Sequence, residues 1–161
     1  MPAYIVRIHI SHFGSGKAED SCLIVYDSGA YHRVRQSQRF GSKEVHSLVL
    51  DGNFAQEKVR SLREILDANE IKNLVSEDPP RSVSVEATVT HLSIPRDRNT
   101  QQITVWKYFD TRGIGAARMK GVDDHGTKLV KPLTEWLKAN LHEDKEVPSP
   151  ERHNPKCLPE R

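Results

Sequence analysis

The chain has 161 residues, of which 36% are hydrophobic and 29% charged, with a formal net charge of +2. That length fits one domain able to bury a core without metals or cross-links, and the low apolar share suits a two-layer domain better than a three-layer α/β sandwich. The small net charge excludes an overall field of the kind that gathers nucleic acid, and no apolar run approaches the roughly eighteen residues of a membrane span.

Tyr4, Val6, Ile8 and Ile10 alternate with Arg7, His9 and Ser11, the period-two pattern of a half-buried strand. After Gly14-Ser15-Gly16-Lys17 comes the continuously apolar run Cys22-Leu23-Ile24-Val25-Tyr26, which suits a central strand covered on both faces. Asp27-Ser28-Gly29 is a tight-turn signal, so residues 21–40 read as a hairpin. Its second arm, Tyr31 to Phe40, is unusually polar, and Val45 to Leu50 predicts a fourth strand. Asn53 is expected to cap a first helix, with Gln56 reaching back as its capping-box partner. Ala55, Val59, Leu62, Ile65 and Leu66 form the apolar face of that helix. Asn69 is expected as its left-handed stop, with a short turn through Ile71, Leu74 and Val75 before Asp78-Pro79-Pro80.

Val83, Val85, Ala87 and Val89, then Thr104, Trp106 and Tyr108, predict two more strands joined by the polar loop Pro95 to Asn99. Residues 111–121 contain three glycines and read as irregular. Leu129, Val130, Leu133, Trp136, Leu137 and Leu141 make the stripe of a second helix. Pro132 is tolerated only in a first turn, so this helix is expected to begin near Lys128 with Thr127 as cap. From Glu143 onward four prolines and many charges stand among few apolar residues, which predicts a disordered tail. The expected fold is α+β, about six mostly antiparallel strands in a twisted sheet packed against two amphipathic helices, in the order ββββ-α-ββ-α. The domain spans residues 1–142 and the tail 143–161. The N-terminus lacks the pattern of a signal peptide, so the expected compartment is the cytoplasm by default, with an exported mature form left open.

Motifs that carry chemistry fail in their context. Gly14-Ser15-Gly16-Lys17 resembles a phosphate loop, but Ser11 stands where the motif needs a Gly, Ala18 stands where it needs Ser or Thr, and no helix follows. His9 and His12 are three apart on one strand and point to opposite faces, and His142, His153 and Cys157 lie in or beside the tail. Thus neither a metal site nor any other cofactor is expected. Cys22 and Cys157 are too few for a disulfide framework, and Cys22 reads as a small buried hydrophobe; a bridge between the two would require an oxidising compartment. No Gly-x-Ser-x-Gly is present, and no catalytic residue is assigned.

The arm after Tyr31 is the one feature that a plain globular domain explains poorly. Arg33, Arg35 and Arg39 share a face at period two with Tyr31, and Arg7 and His9 are expected beside them on a neighbouring strand. Interleaved arginines and an aromatic can hold phosphate or single-stranded nucleic acid, although nothing here reads bases. The competing structural reading is an edge strand kept polar against aggregation, with Glu44 or Glu86 compensating the charge. The expected function is a non-enzymatic binding or interaction module that uses an exposed polar sheet face, its partner a protein or an anionic ligand. The alternative is a small hydrolase or transferase with its site at loop 111–121, Asp123, Asp124 and His125. A concave pocket gathering titratable groups discriminates the two.

Overall fold

Strands dominate the first half of the chain because apolar and polar side chains alternate there. They form a meander of β1 (Tyr4–Gly14), β2 (Lys17–Tyr26), β3 (Ala30–Arg39) and β4 (His46–Asn53). The computed structural model describes residues 3–14, 16–79, 85–110, 122–142 and 146–148. The rest of it comprises helices α1 (Gln56–Asp67) and α2 (Asn69–Lys72), strands β5 (Val85–Pro95), β6 (Thr100–Asp110) and β7 (Val122–His125), helix α3 (Lys131–Asn140) and the short β8 (Val147–Pro148). One antiparallel sheet contains all eight strands in the order β7-β6-β5-β1-β2-β3-β4-β8. The α+β class and the antiparallel sheet are as expected; the sequence reading missed β7 and β8 and the separate α2.

The hairpin of β2 and β3 turns where Asp27-Ser28-Gly29 predicts it, with the Gly29 amide donating to the Tyr26 carbonyl at 3.0 Å. Gly29 has φ 94°, and a Cβ there would collide with the Phe54 carbonyl, so the position requires glycine. The Gly14 to Lys17 segment closes the β1–β2 hairpin, in which Gly14 pairs with Lys17.

All three helices lie on one side of the sheet, packed on Val6, Ile8, Leu23, Val25, Tyr31, Leu92, Ile94, Ile103 and Val105. An aromatic series links the two layers. Tyr31 stacks on Phe54 at 4.3 Å, and Phe54 meets Trp136 edge-on at 5.0 Å. The Trp136 indole Nε1–H donates to Ser61 Oγ at 2.9 Å, joining α3 to α1. Gly52 lies directly beneath the Tyr31 ring, where any Cβ would overlap it.

Several local expectations are corrected. Asn53 does not cap α1: it ends β4, paired with Ala30, and the cap position is Ala55 with no side-chain bond. Gln56 instead donates to the Ser28 carbonyl at 2.8 Å, tying the helix to the β2–β3 turn. Asn69 does not stop α1; Ala68 does, in an extended conformation, and Asn69 opens α2. Helix α3 begins at Lys131 rather than Lys128, with Pro132 in its first turn. Thr127 belongs to the preceding turn, where its backbone amide and hydroxyl both donate to Asp124 Oδ1.

Strand β3 is internal, between β2 and β4, so its polarity is not edge protection. Glu146 to Pro148 fall inside the expected tail yet join the domain: Val147 and Pro148 pair with β4, and Glu146 is buried. Residues 143–145 and 149–161 of that tail, with the irregular segment 111–121, lie outside the described residues. No described helix is long and apolar enough to cross a membrane.

Candidate functional site: a polar groove on the helix-bearing face

Register decides which side chains share a face. Ile8 pairs with Leu23, Leu23 with Arg33 and Arg33 with Leu50, so Arg33 points to the helix side. By the same parity Tyr31, Arg35 and Arg39 point there too. Arg7 pairs with Ile24, and Ile24 with His32; His9 pairs with Cys22. Arg7 and His9 therefore lie on the opposite face, and the expected cluster of Arg7, His9, Tyr31, Arg33, Arg35 and Arg39 is split between two surfaces. Tyr31 is core, 5% exposed. Arg33 makes a two-pronged ion pair with Glu146, Nη2 to Oε1 at 2.5 Å and Nε to Oε2 at 3.1 Å. Its acidic partner is neither Glu44 nor Glu86 but a residue 113 positions along the chain.

Arg35 lies near the end of α3, where Leu137 and Leu141 line a small pocket with it. Beyond Leu137 and Leu141 no described helix covers the sheet, and two cross-strand rows continue along this face. One row runs Thr90, Ile10, Ser21, Arg35, Leu48 and the next runs Thr88, His12, Glu19, Ser37, His46. Together they floor a groove of about 550 Å³. His12 Nδ1 is hydrogen-bonded to Thr88 Oγ1 at 2.7 Å, and its Nε2 lies 3.7 Å from Glu86. Glu19 meets Lys17 at 2.8 Å. This hydrogen bond holds the Glu19 carboxyl below the usual carboxylate range, with Lys17, His12 and Arg35 adding electrostatic support against desolvation. Lys17 and Arg39 are register partners at the end of the β2–β3 ladder, outside the groove lining.

Of the groove residues only Arg35 stood among the sequence candidates. The others were nonetheless signalled. Along one parity of β1 the series Val6, Ile8, Ile10, His12 turns from apolar to polar, and along β2 Val25, Leu23, Ser21, Glu19 does the same. The switch marks where helices cease to cover the sheet.

The helix-free face carries a second cluster of strand residues, Cys22, Ile24 and Val34, packed with Tyr4, Tyr26 and Val49. Cys22 is disulfide-bonded, not a simple buried thiol, and Cys157 lies outside the described residues. Beside it Ser11 Oγ donates to Asp20 Oδ1 at 2.6 Å, and His9 Nε2 donates to the same oxygen at 3.1 Å. The residue types are those of a hydrolytic triad, but the connections are wrong. A relay needs one imidazole nitrogen on the carboxylate and the other on the hydroxyl, whereas here Nε2 faces both and Nδ1 is buried without a partner. His91 stacks on His9 at 5.9 Å, and burial, then the neighbouring His9, pulls its pKa down. His32 donates to Asp51 at 2.6 Å and leaves Nε2 buried and unpartnered.

Of the expected alternative site, the described side chains are those of Asp124 and His125, and both have structural partners. Asp124 is occupied by Thr127. His125 Nε2 donates to the Val75 carbonyl at 2.7 Å, its Nδ1 sits 3.0 Å from Glu77, and its ring stacks on Trp106. These contacts fasten β7 to the segment after α2. Loop 111–121 and the Asp123 side chain lie outside the described residues. Among the described residues no group of three or more His, Cys, Asp or Glu is placed to hold a metal ion. No protein-family model matches the chain, and no curated protein is significantly similar to it.

Proposed function

We propose that the protein is a non-enzymatic binding module whose groove takes an anionic group, a carboxylate or phosphate, at Arg35. The observation that carries this reading is the groove itself, in which Arg35 is an exposed guanidinium-bearing residue on a floor shared with Ser21, Ser37, His12 and His46. Arg35 lines the groove with His12 and His46, and the acidic Glu19 and Asp20 line it as well, Glu19 being met by Lys17. Arginine presents a planar fork matched to carboxylate and phosphate, while Ser21 and Ser37 in the same rows offer hydroxyl donors.

Titration with inorganic phosphate and with a short acidic peptide, followed by backbone amide chemical shifts, tests the proposal. Shifts should concentrate at Ile10 to His12, Glu19 to Ser21 and Arg35 to Ser37. They should weaken as salt rises, since exposed charges are screened within about 10 Å at 0.1 M. Arg35→Gln should remove them with the melting temperature unchanged. Shifts that Arg35→Gln does not alter, or no salt-sensitive binding of either probe, would defeat the reading.

A further inference from the structure

Exposed apolar side chains gather at one end of the sheet. Of the seven exposed large hydrophobic residues among the described ones, three stand there: Phe40 at 62%, Val45 at 51% and Phe13 at 45%. Phe13 lies at the end of β1, and Phe40 and Val45 lie in the connection between β3 and β4. The two tips are joined, since the Phe40 amide donates to the Gly16 carbonyl at 2.8 Å. The Gln38 side-chain amide donates to the Ser42 carbonyl, also at 2.8 Å, and braces the second tip. Phe13 and Phe40 therefore flank the end of β2, two strand spacings or about 10 Å apart across the sheet.

Cations share these tips. Lys17 is matched by Glu19 at 2.8 Å, whereas Arg39 and Lys43 are exposed and form no ion pair among the described residues. Glu44, the acidic residue of the second tip, lies 3.9 Å from His46. We propose that the two tips dock the protein on a membrane surface bearing anionic lipid. Phe13, Phe40 and Val45 enter the boundary between headgroups and acyl chains, while Arg39 and Lys43 meet the lipid anions.

Size and shape favour a lipid surface over a protein partner. Three partly exposed side chains offer roughly 300 Å² of apolar area, well short of the roughly 800 Å² per partner that a stable protein interface buries. Insertion into a bilayer has no such threshold, because each side chain transfers into the interface on its own. The backbone is also unobstructed. At Gly16 and Gly41, with φ 76° and 81°, a Cβ would have nothing within 4 Å, so both turns stand clear of the rest of the molecule and can approach headgroups closely.

Cosedimentation of the full chain with vesicles tests the proposal, using phosphatidylcholine mixed with phosphatidylserine and phosphatidylcholine alone as the comparison. The chain should pellet with the mixed vesicles at low salt and be released as salt rises. Phe13→Ser and Phe40→Ser should each lower the partition coefficient roughly tenfold. Arg39→Gln and Lys43→Gln should lower it about fivefold each on the mixed vesicles. All four should melt with the parent, since the side chains removed are exposed. Leu129→Ser, which removes an apolar side chain 43% exposed in the turn before α3, should leave partition unchanged. No pelleting with the mixed vesicles, equal pelleting with both kinds, or a loss that Leu129→Ser reproduces overturns the proposal. A dimer in sedimentation equilibrium that Phe40→Ser dissociates also overturns it, by assigning the patch to a second copy. If Phe13→Ser loosens β1, seen as a lower melting temperature, Phe40→Ser and Arg39→Gln decide.

Discussion

Replacing Arg33 by alanine tests whether the polar centre of β3 is structural or functional. The Glu146 side chain is 0% exposed and that of Arg33 13%, so the substitution removes the two-pronged guanidinium partner from a buried carboxylate. Breaking a buried pair by removing one partner typically costs about 3–5 kcal/mol. In this size class each kcal/mol lowers the melting temperature by about 2–4 °C, so Arg33→Ala should melt about 6–20 °C below the parent. Removing the other partner, by Glu146→Ala, should cost less, because the long arginine stem can swing its guanidinium towards solvent. Replacing both, Arg33→Met with Glu146→Leu, should recover most of the loss, since paired desolvation disappears with the pair. Urea and thermal unfolding of these proteins, with Arg33→Met and Glu146→Leu made singly as well, close a double-mutant cycle. The reasoning fails if Arg33→Ala melts at the parent temperature, or if the double variant is no better than the worse single one.

Two further outcomes follow from the core. Trp136→Ala removes an 8% exposed ring that meets Phe54 and donates to Ser61; urea unfolding should show a loss of about 3–5 kcal/mol, and an unchanged midpoint would place Trp136 outside the core. Burial raises the Tyr31 phenol above 10.0, Glu146 adds to this and Arg33 opposes it. Because the folded value is the higher one, the contribution is complete below pH 10 and is lost as pH rises through the folded pKa. Tyr31→Phe should therefore flatten the alkaline limb of stability in pH-dependent melts, with a share remaining from Tyr108, whose phenol burial also raises.

Local signals were legible where a single stretch of chain decides the outcome. The hairpin at residues 21–40 follows from an apolar run, a glycine turn and a second alternating arm, and both amphipathic helices follow from spacing. The helix starts were misread because capping rules take no account of pairing: Asn53 suits a cap, but its partner across the sheet is Ala30. Arg33 was read as surface because burying a guanidinium is normally prohibitive; what permits it is Glu146, and no local pattern connects the two. The faces of β1 and β3 were confused because the strand between them sets their relative parity, and that register is fixed only by the fold.

The strand order has a consequence for how the molecule is made. Strand β1 lies between β2, its immediate successor, and β5, which begins at Val85. The meander β1–β4 can assemble from neighbours, but the open edge of β1 stays unsatisfied until the Arg7 to Phe13 segment meets Ala87 to Ser93. Closing so long a loop is slow. In a nascent chain this edge is exposed while the next several dozen residues are synthesised. His12, Ser11 and Arg7 sit along that edge, and polar side chains of this kind hinder edge-to-edge pairing with a second copy. The polar half of β1 thus protects the chain before it is complete, and a substitution such as Ser11→Val should lower soluble yield more than it lowers the stability of the folded molecule.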